Sequence, residues 1–199
     1  MLNKFKEWYR KNVNDKNETK IKEALEFKNR FVNICGNTYF LGKGMIADLP
    51  DIIRVDKAAY GNEMKWTKAQ FKTQLNNNKD RFYLILRKDD ELVGFICISI
   101  SRDNKCCQIQ NVAVLPKFQH QGLGYFLITT IIERAREMEL NCVFFICQVG
   151  HIKTQDLFKD LGFVQVEVKP NYYDDGENAI VLRLNLDKKN YLASNNFGR

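Results

Sequence analysis

The sequence predicts an α/β fold in which helices flank a mixed sheet. Short apolar runs rich in β-branched and aromatic residues alternate with longer runs of helical periodicity, and turn signals separate them. From Thr38 onwards the predicted order is strand, two helices, three strands, helix, strand, helix and two strands. That order is typical of an α/β chain with a mixed sheet.

The start of the chain is predicted to form one or two amphipathic helices over residues 1–33. Apolar residues recur at helical spacing from Leu2 to Tyr9 and again from Ile21 to Phe27, with the break NDKNET between them. We therefore divide the chain into an N-terminal helical extension, residues 1–37, and one domain over residues 38–199.

The first half of this domain begins with TYFLGKGM, which is predicted to be a strand. Asp48 is a suitable N-cap for a helix in DLPDIIRVDKAAYG, with Pro50 tolerated in its first turn. Thr67 and Gln70 form the capping-box pattern of a second helix, TKAQFKTQL. A meander of RFYLILR, ELVGFICISI and CCQIQNVAVL follows, joined by KDD and SRDNK.

The second half of the domain alternates helices and strands. LGYFLITTIIERAREMEL is predicted to be a helix, NCVFFICQV a buried strand, and TQDLFKDLGF a short helix that ends at Gly162. FVQVEVK and AIVLRLNL are predicted to form a last antiparallel pair around the loop PNYYDDGEN.

Composition and charge indicate an ordinary globular protein, with 45% hydrophobic and 28% charged residues. No apolar run reaches the length of a membrane span, and MLNKFKEWYRKN lacks the apolar core of a signal peptide. We therefore expect a cytoplasmic protein that does not contact membranes. The net charge of +7 could serve a nucleic acid or a ribosomal surface. A solvated basic face is the favoured interpretation, so direct nucleic-acid binding is not expected.

The six cysteines favour reduced thiols in the core. They form no CxxC pair, and the chain has only two histidines, so a zinc site is not expected. Three of them lie in apolar strand-like runs, where a free thiol behaves as a small hydrophobic group. We expect no metal and no disulfide.

The stretch QHQGLGYF, Gln119 to Phe126, holds two glycines between a predicted strand and a predicted helix. It lacks the Gly-Lys-Ser/Thr of a Walker loop, because Tyr125 follows Gly124, and Leu127 replaces the third small residue of a Rossmann fingerprint. Its backbone amides, at the N-terminus of a helix, could instead bind an anion. Side chains in place of the glycines would block close approach of a pyrophosphate.

This loop, together with the strand NVAVLP before it, resembles the acetyl-CoA loop Q/R-x-x-G-x-G/A of the GNAT N-acetyltransferases. LFKDLGF, Leu157 to Phe163, resembles the end of the last conserved helix of that family. The resemblance covers about residues 38–186. It implies a GNAT-type, mostly antiparallel sheet flanked by helices, acetyl-CoA as the cosubstrate, and direct transfer of the acetyl group to an amine.

Three segments resemble the RimI-type enzymes, which acetylate protein N-termini and notably the N-terminal alanine of a ribosomal protein. They are VAVLPKFQHQGLG, NYYDDGENAIVLRL and KWTKAQF. The resemblance implies N-terminal acetylation of a protein or peptide, a ribosomal protein included. Two alternatives stay open, namely acetylation of a small amine and a non-catalytic acyl-CoA-binding protein.

The same resemblance assigns binding roles. Val112 and Val114 would lie beside the acetyl group and the pantetheine, with the amide of Val114 as the donor to the developing oxyanion, and the loop from His120 to Tyr125 would hold the pyrophosphate. The predicted cofactor-binding residues are Val112, Ala113, Val114, Gln119, His120, Gln121, Gly122, Leu123, Gly124, Tyr125 and His151. The predicted substrate-binding residues are Trp66, Tyr172 and Tyr173.

The catalytic side chains depart from the pattern of the family. Ile146 stands where a glutamate base is usual, and Phe158 stands where a tyrosine acid is usual; both could simply fill the core. His151 replaces a usual asparagine and can relay a proton near neutral pH. Tyr173 lies in a loop that covers the peptide N-terminus in similar enzymes. His151 and Tyr173 are therefore the candidate catalytic residues, and ordered water is a further route for the proton.

Overall fold

The computed structural model describes residues 19–61, 67–76, 80–173 and 175–186. In chain order its elements are helix α1 (residues 19–25), strands β1 (Arg30–Ile34) and β2 (Asn37–Lys43), helices α2 (Leu49–Tyr60) and α3 (Lys68–Asn76), strands β3 (Arg81–Lys88), β4 (Glu91–Ser101) and β5 (Cys106–Val114), helix α4 (Leu123–Glu137), strand β6 (Cys142–Gln148), helix α5 (Ile152–Asp160), and strands β7 (Val164–Lys169) and β8 (Ala179–Asn185). From β2 onwards this order confirms the prediction. No helix in these ranges is long and apolar enough to cross a membrane.

The eight strands form one sheet in the order β1-β2-β3-β4-β5-β6-β8-β7. Every neighbouring pair is antiparallel except β5 and β6, which are parallel because α4 carries the chain back between them. The predicted mixed, mostly antiparallel sheet with flanking helices is therefore confirmed.

Helices cover both faces of the sheet at its centre. On one face Phe71 of α3 meets Phe95 of β4 edge-on, with ring centroids 6.3 Å apart. On the other face Leu127 of α4 approaches Gly94 of β4. Because both faces are covered, β4 is buried along almost its whole length and reads as a continuous apolar run.

The two predicted helix starts are correct, although only one has the predicted cap. The amide of Thr67 donates to Oε1 of Gln70 at 2.7 Å, and the amide of Gln70 donates to Oγ1 of Thr67 at 3.3 Å, which forms the capping box of α3. Asp48 precedes α2, but its carboxylate accepts hydrogen bonds from the Met45 amide at 2.8 Å and the Arg87 guanidinium at 2.6 Å.

The prediction of helices over residues 1–33 is wrong at its end, because Arg30–Ile34 form strand β1. This strand pairs with β2 through a tight turn in which Cys35 and Gly36 both have positive φ. Residues 1–18 lie outside the described part of the chain. The boundary between residues 37 and 38 stays a prediction, and the pairing of β1 with β2 crosses it.

The prediction that all six cysteines are reduced is wrong for Cys106 and Cys142, which form a disulfide. They are the first residues of β5 and β6 and face each other directly in the parallel register, with their Cα atoms 4.8 Å apart. Cys35, Cys97, Cys107 and Cys147 keep their thiol groups, and the last three are buried. Burial raises the pKa of Cys97 to about 12.

Candidate functional site

Strands β5 and β6 pair only over their first four residues, from Cys106 to Ile109 against Cys142 to Phe145. Beyond that point β5 pairs only with β4, and β6 pairs only with β8. Gln110, directly after the last shared pair, is an extra residue in β5 that is opposite no residue of β4 in the register, and its Nε2 donates to Oγ of Ser99 at 2.7 Å. Such a bulge bends a strand, so β5 and β6 diverge and leave a gap.

A cleft of about 830 Å³ lies beyond the point where the two strands part, bounded by the end of α2, the open edge of β5, the loop before α4, and the segment after β6 with the start of α5. We call it the β5–β6 cleft. All of the predicted cofactor-binding residues line it except Gln121, whose side chain folds back and donates to the carbonyl of Lys117 at 3.0 Å. The sequence therefore identified most of the cleft.

The loop before α4 and the first turn of that helix line this cleft, and the first amides of a helix have no partner within the helix. Gly122 is the N-cap of α4 and has φ of 81°, in the left-handed region that glycine adopts readily. Gly124 lies within the first turn, and a Cβ atom there would meet only Leu157, at 3.7 Å, across the cleft. The first turn of α4 carries no acidic residue, and Lys153 lines the opposite wall. These features fit a diphosphate.

Two backbone carbonyls at the open edge of β5, those of Val112 and Val114, accept hydrogen bonds from side chains. The Leu115 amide donates to Val93 of β4 at 2.8 Å, so the alternate residues Val112 and Val114 direct their backbone groups into the cleft. The Tyr60 hydroxyl donates to the Val112 carbonyl at 2.5 Å. Gln119 Nε2 donates to the Val114 carbonyl at 3.0 Å. The amides of Val112 and Val114 face the cleft beside these bonds, and they can donate to a ligand.

The two positions where the resemblance implies catalytic side chains hold hydrocarbon. Phe158 is fully buried, and its ring stacks on Phe145 with centroids 4.2 Å apart and meets Phe163 edge-on at 5.0 Å. Ile146 is half-buried on β6, opposite Val181 of β8. Neither can exchange a proton.

The other predicted site residues are divided between the cleft and a neighbouring loop. His151 lines the cleft directly before α5. Tyr172 and Tyr173 lie in the loop between β7 and β8, outside the cleft lining, with their rings edge-to-face at 5.2 Å. Burial, and then the nearby Cys147 thiol, raise the pKa of Tyr173 above its ordinary value. Trp66 lies outside the described residues.

Tyr60, in the last turn of α2, also lines the cleft and is not among the residues predicted from the sequence. Asp56 lies one turn earlier on the same helix face and is buried, with 1% of its surface exposed. It accepts a hydrogen bond from Asn111 Nδ2 at 2.7 Å. Burial, and then the Asp56 carboxylate and the Cys147 thiol, raise the pKa of Tyr60. The sequence signal for this pair was Asp56, a carboxylate at a helix position where the pattern favours an apolar residue, four residues before Tyr60.

Comparisons with known proteins agree with this geometry. Residues 47–163 match the family model of the acetyltransferase (GNAT) family. A ribosomal protein bS18-alanine N-acetyltransferase of Haemophilus ducreyi is 28% identical over 145 residues, 70% of this chain and 94% of the relative. An N-alpha-acetyltransferase of Sulfurisphaera tokodaii is 23% identical, over 74% of this chain and 93% of the relative. The crystal structure of the Escherichia coli ribosomal-protein-S18-alanine N-acetyltransferase superposes with a TM-score of 0.67 at 22% identity, covering 75% of this chain and 94% of that one.

Proposed function

The chain belongs to the acetyltransferase (GNAT) family, and on that premise we propose that it acetylates the N-terminal α-amine of a protein, with a ribosomal protein as the preferred acceptor. It is an acetyl-CoA-dependent N-acetyltransferase, as members of this family are. The acceptor is proposed because the similar proteins of Haemophilus ducreyi and Escherichia coli carry the name of ribosomal protein S18 and its alanine. We infer that it acts in the cytoplasm, where ribosomal proteins are made.

The observation that carries the proposal is the β5–β6 cleft, in which the N-terminus of helix α4 lies next to the open edge of strand β5. The loop from His120 to Tyr125 would hold the diphosphate of acetyl-CoA with its amides. The amides of Val112 and Val114 would bind the pantetheine and the acetyl group along β5. Acetyl-CoA supplies the activated acetyl group.

The chain's own groups then have three tasks: to bind the oxygen of the acetyl group as it gains negative charge, to accept the proton of the amine, and to exclude water. The Val114 amide is our candidate for the first task. His151, on the wall of the cleft, is our candidate for the second. Burial raises the pKa of Tyr173, so this phenol keeps its proton and would act by donating a hydrogen bond to the acceptor. The loop that carries Tyr172 and Tyr173 would cover the acceptor N-terminus.

The decisive experiment incubates the purified protein with acetyl-CoA and peptides that begin with different residues, one of them the N-terminal sequence of ribosomal protein S18. Mass spectrometry should show one added acetyl group on the α-amine. The matched control is the same peptide with a blocked N-terminus and an internal lysine, which should stay unmodified.

Other outcomes separate the alternatives. Turnover of small amines without any peptide product would show that the acceptor is a small amine and not a protein N-terminus. This alternative is worth testing because Ile146 and Phe158 stand where the usual catalytic side chains are expected. Binding of coenzyme A in calorimetry, with no acetyl transfer to any amine, would indicate a non-catalytic acyl-CoA-binding protein.

A further inference from the structure

We propose that Tyr60 donates the proton to the departing thiolate of coenzyme A, and that the buried Asp56–Asn111 pair holds it in position. This inference rests on the proposed acetyl transfer and names the residue that completes its last step. Another proton donor is needed because Phe158, at the position where the resemblance implies a tyrosine acid, is enclosed by aromatic rings and has no hydroxyl.

The direction of the cleft indicates where the thioester would lie. The diphosphate would bind at the start of α4, near the Val114 end of β5, and the strands converge again at Ile109. A ligand that runs from the loop towards this convergence reaches Val114 first and Val112 about 7 Å later. The Tyr60 hydroxyl, at 2.5 Å from the Val112 carbonyl, therefore lies at the acyl end of the cleft.

Tyr60 lines the β5–β6 cleft together with Val112 of β5 and with Gly150 and His151, which follow β6. Its hydroxyl is bonded to β5 at the carbonyl of Val112. A ligand that follows β5 through the cleft would therefore pass Tyr60 at this point.

Helix α2 is attached to β5 at two consecutive residues, which holds the phenol in place. Asp56 binds the side chain of Asn111, and Tyr60, one helical turn later, binds the carbonyl of Val112. Burial and the Asp56 carboxylate raise the pKa of Tyr60, so its hydroxyl stays protonated across the pH range in which amines lose their proton. The group is therefore kept in the form that can donate.

The nitrogen lone pair of the amine forms the C–N bond, and the C–S bond breaks with its electron pair moving to sulfur. The proton of the Tyr60 hydroxyl moves to that sulfur. The proton that the amine nitrogen loses passes through His151 or ordered water to the Tyr60 oxygen as the hydroxyl proton leaves. No free phenolate accumulates beside the Asp56 carboxylate, and Tyr60 ends the cycle unchanged.

The first test uses coenzyme A alone and needs no acceptor. The thiolate of bound coenzyme A is titrated by its ultraviolet absorbance in the wild type and in Tyr60→Phe, which keeps the ring and removes the hydroxyl. A hydrogen bond from Tyr60 would stabilise the thiolate, so we expect the thiol pKa to be about 1 unit lower in the wild type, a tenfold effect. Equal pKa values in the two proteins would overturn the proposal.

Tyr83→Phe is the matched control, because Tyr83 is a buried tyrosine on β3 that does not line the cleft. Its thiol pKa should equal that of the wild type. The peptide assay tests the proposed function separately. If the wild type acetylates no peptide but the thiol pKa still depends on Tyr60, the peptide acceptor is refuted and the role of Tyr60 as proton donor is supported.

The second test is kinetic. Tyr60→Phe should lower kcat about 100-fold and change the KM for acetyl-CoA by less than about threefold, because the bond is needed only as the thiolate leaves. A fluorinated tyrosine at position 60 keeps the hydroxyl and the packing but lowers the phenol pKa. In this variant kcat should fall at high pH, within the measurable range, because the more acidic phenol loses the proton that it has to donate. A kcat within twofold of the wild type in Tyr60→Phe, or a fluorotyrosine variant with an unchanged pH profile, would contradict the proposal.

Discussion

A Cβ atom at Gly122 would lie 3.1 Å from Sγ of Cys35, so the turn between β1 and β2 packs directly against the start of α4. Gly122 also has a positive φ, which strains any other residue. This glycine therefore serves the fold as well as the cleft. Gly124 does not share either constraint, since its Cβ would meet Leu157 at an ordinary 3.7 Å.

Gly124→Leu should separate cofactor binding from folding. The new side chain would fill the space between α4 and α5, so we expect calorimetry to show acetyl-CoA affinity at least about 100-fold weaker. Urea unfolding should change by less than about 1 kcal/mol, because Gly124 lies in a helix and has room. Gly122→Ala should instead lose about 1–2 kcal/mol of stability. Wild-type affinity in Gly124→Leu would show that the diphosphate does not bind there.

Phe158→Tyr should not restore a catalytic acid. The added hydroxyl would be enclosed by the rings of Phe145 and Phe163, where burial without a hydrogen bond costs about 1–3 kcal/mol. We expect that loss in urea unfolding and no gain in kcat. Phe31→Tyr, at a ring that is 75% exposed, is the control and should change stability by less than about 0.5 kcal/mol. A rise in kcat would mean that the ring can turn into the cleft.

Reduction of the Cys106–Cys142 disulfide should destabilise the protein. The bond joins residues 36 positions apart, and a closed loop of that length contributes roughly 3–4 kcal/mol through the entropy of the unfolded chain. Urea unfolding with and without reductant measures this difference, and the double variant with Cys106→Ser and Cys142→Ser should not respond to reductant. Because cytosolic thiols are kept reduced, the reduced value describes the form expected in the cytoplasm. Identical curves for the wild type would exclude the bond.

Alkaline pH should weaken the fold through Cys97 and Tyr83, which face each other on β4 and β3. Burial raises the pKa of both groups, so the native state holds their protons more tightly than the unfolded state does. Their contribution is complete below the unfolded pKa values, about 8.5 for cysteine and about 10 for tyrosine, and is lost as the pH rises above them. The free energy of unfolding should fall there by up to about 1.4 kcal/mol per pH unit for each group. Tyr83→Phe should reduce the slope above about pH 10, and an unchanged slope would refute this assignment.

The elements that the sequence predicted correctly are those specified by local patterns. The capping box of Thr67 and Gln70, the apolar strand β4 and the glycine loop before α4 can each be recognised within about ten residues. Strand β1 was missed because RFVNI is short and follows a helical run, and only its pairing with β2 defines it. The mistakes therefore arose where a distant segment decides the structure.

The same reason explains what was missed at the site. The disulfide depends on the register of β5 against β6, which brings together Cys106 and Cys142. The place of Tyr60 depends on how the last turn of α2 meets β5. The spacing of Asp56 and Tyr60 puts both residues on one face of the helix but does not identify the strand that this face contacts. The enclosed ring of Phe158, by contrast, agrees with the interpretation of that residue as core packing.

The extra residue Gln110 makes β6 and the ligand competitors for the same backbone groups of β5. Without the bulge, the two strands could continue to pair beyond Ile109, and the amides that we propose bind acetyl-CoA would be used within the sheet. A chain that lacks Gln110 is therefore expected to be more stable and unable to bind its cosubstrate. The proposed binding of the cosubstrate therefore requires that β5 and β6 do not pair beyond Ile109.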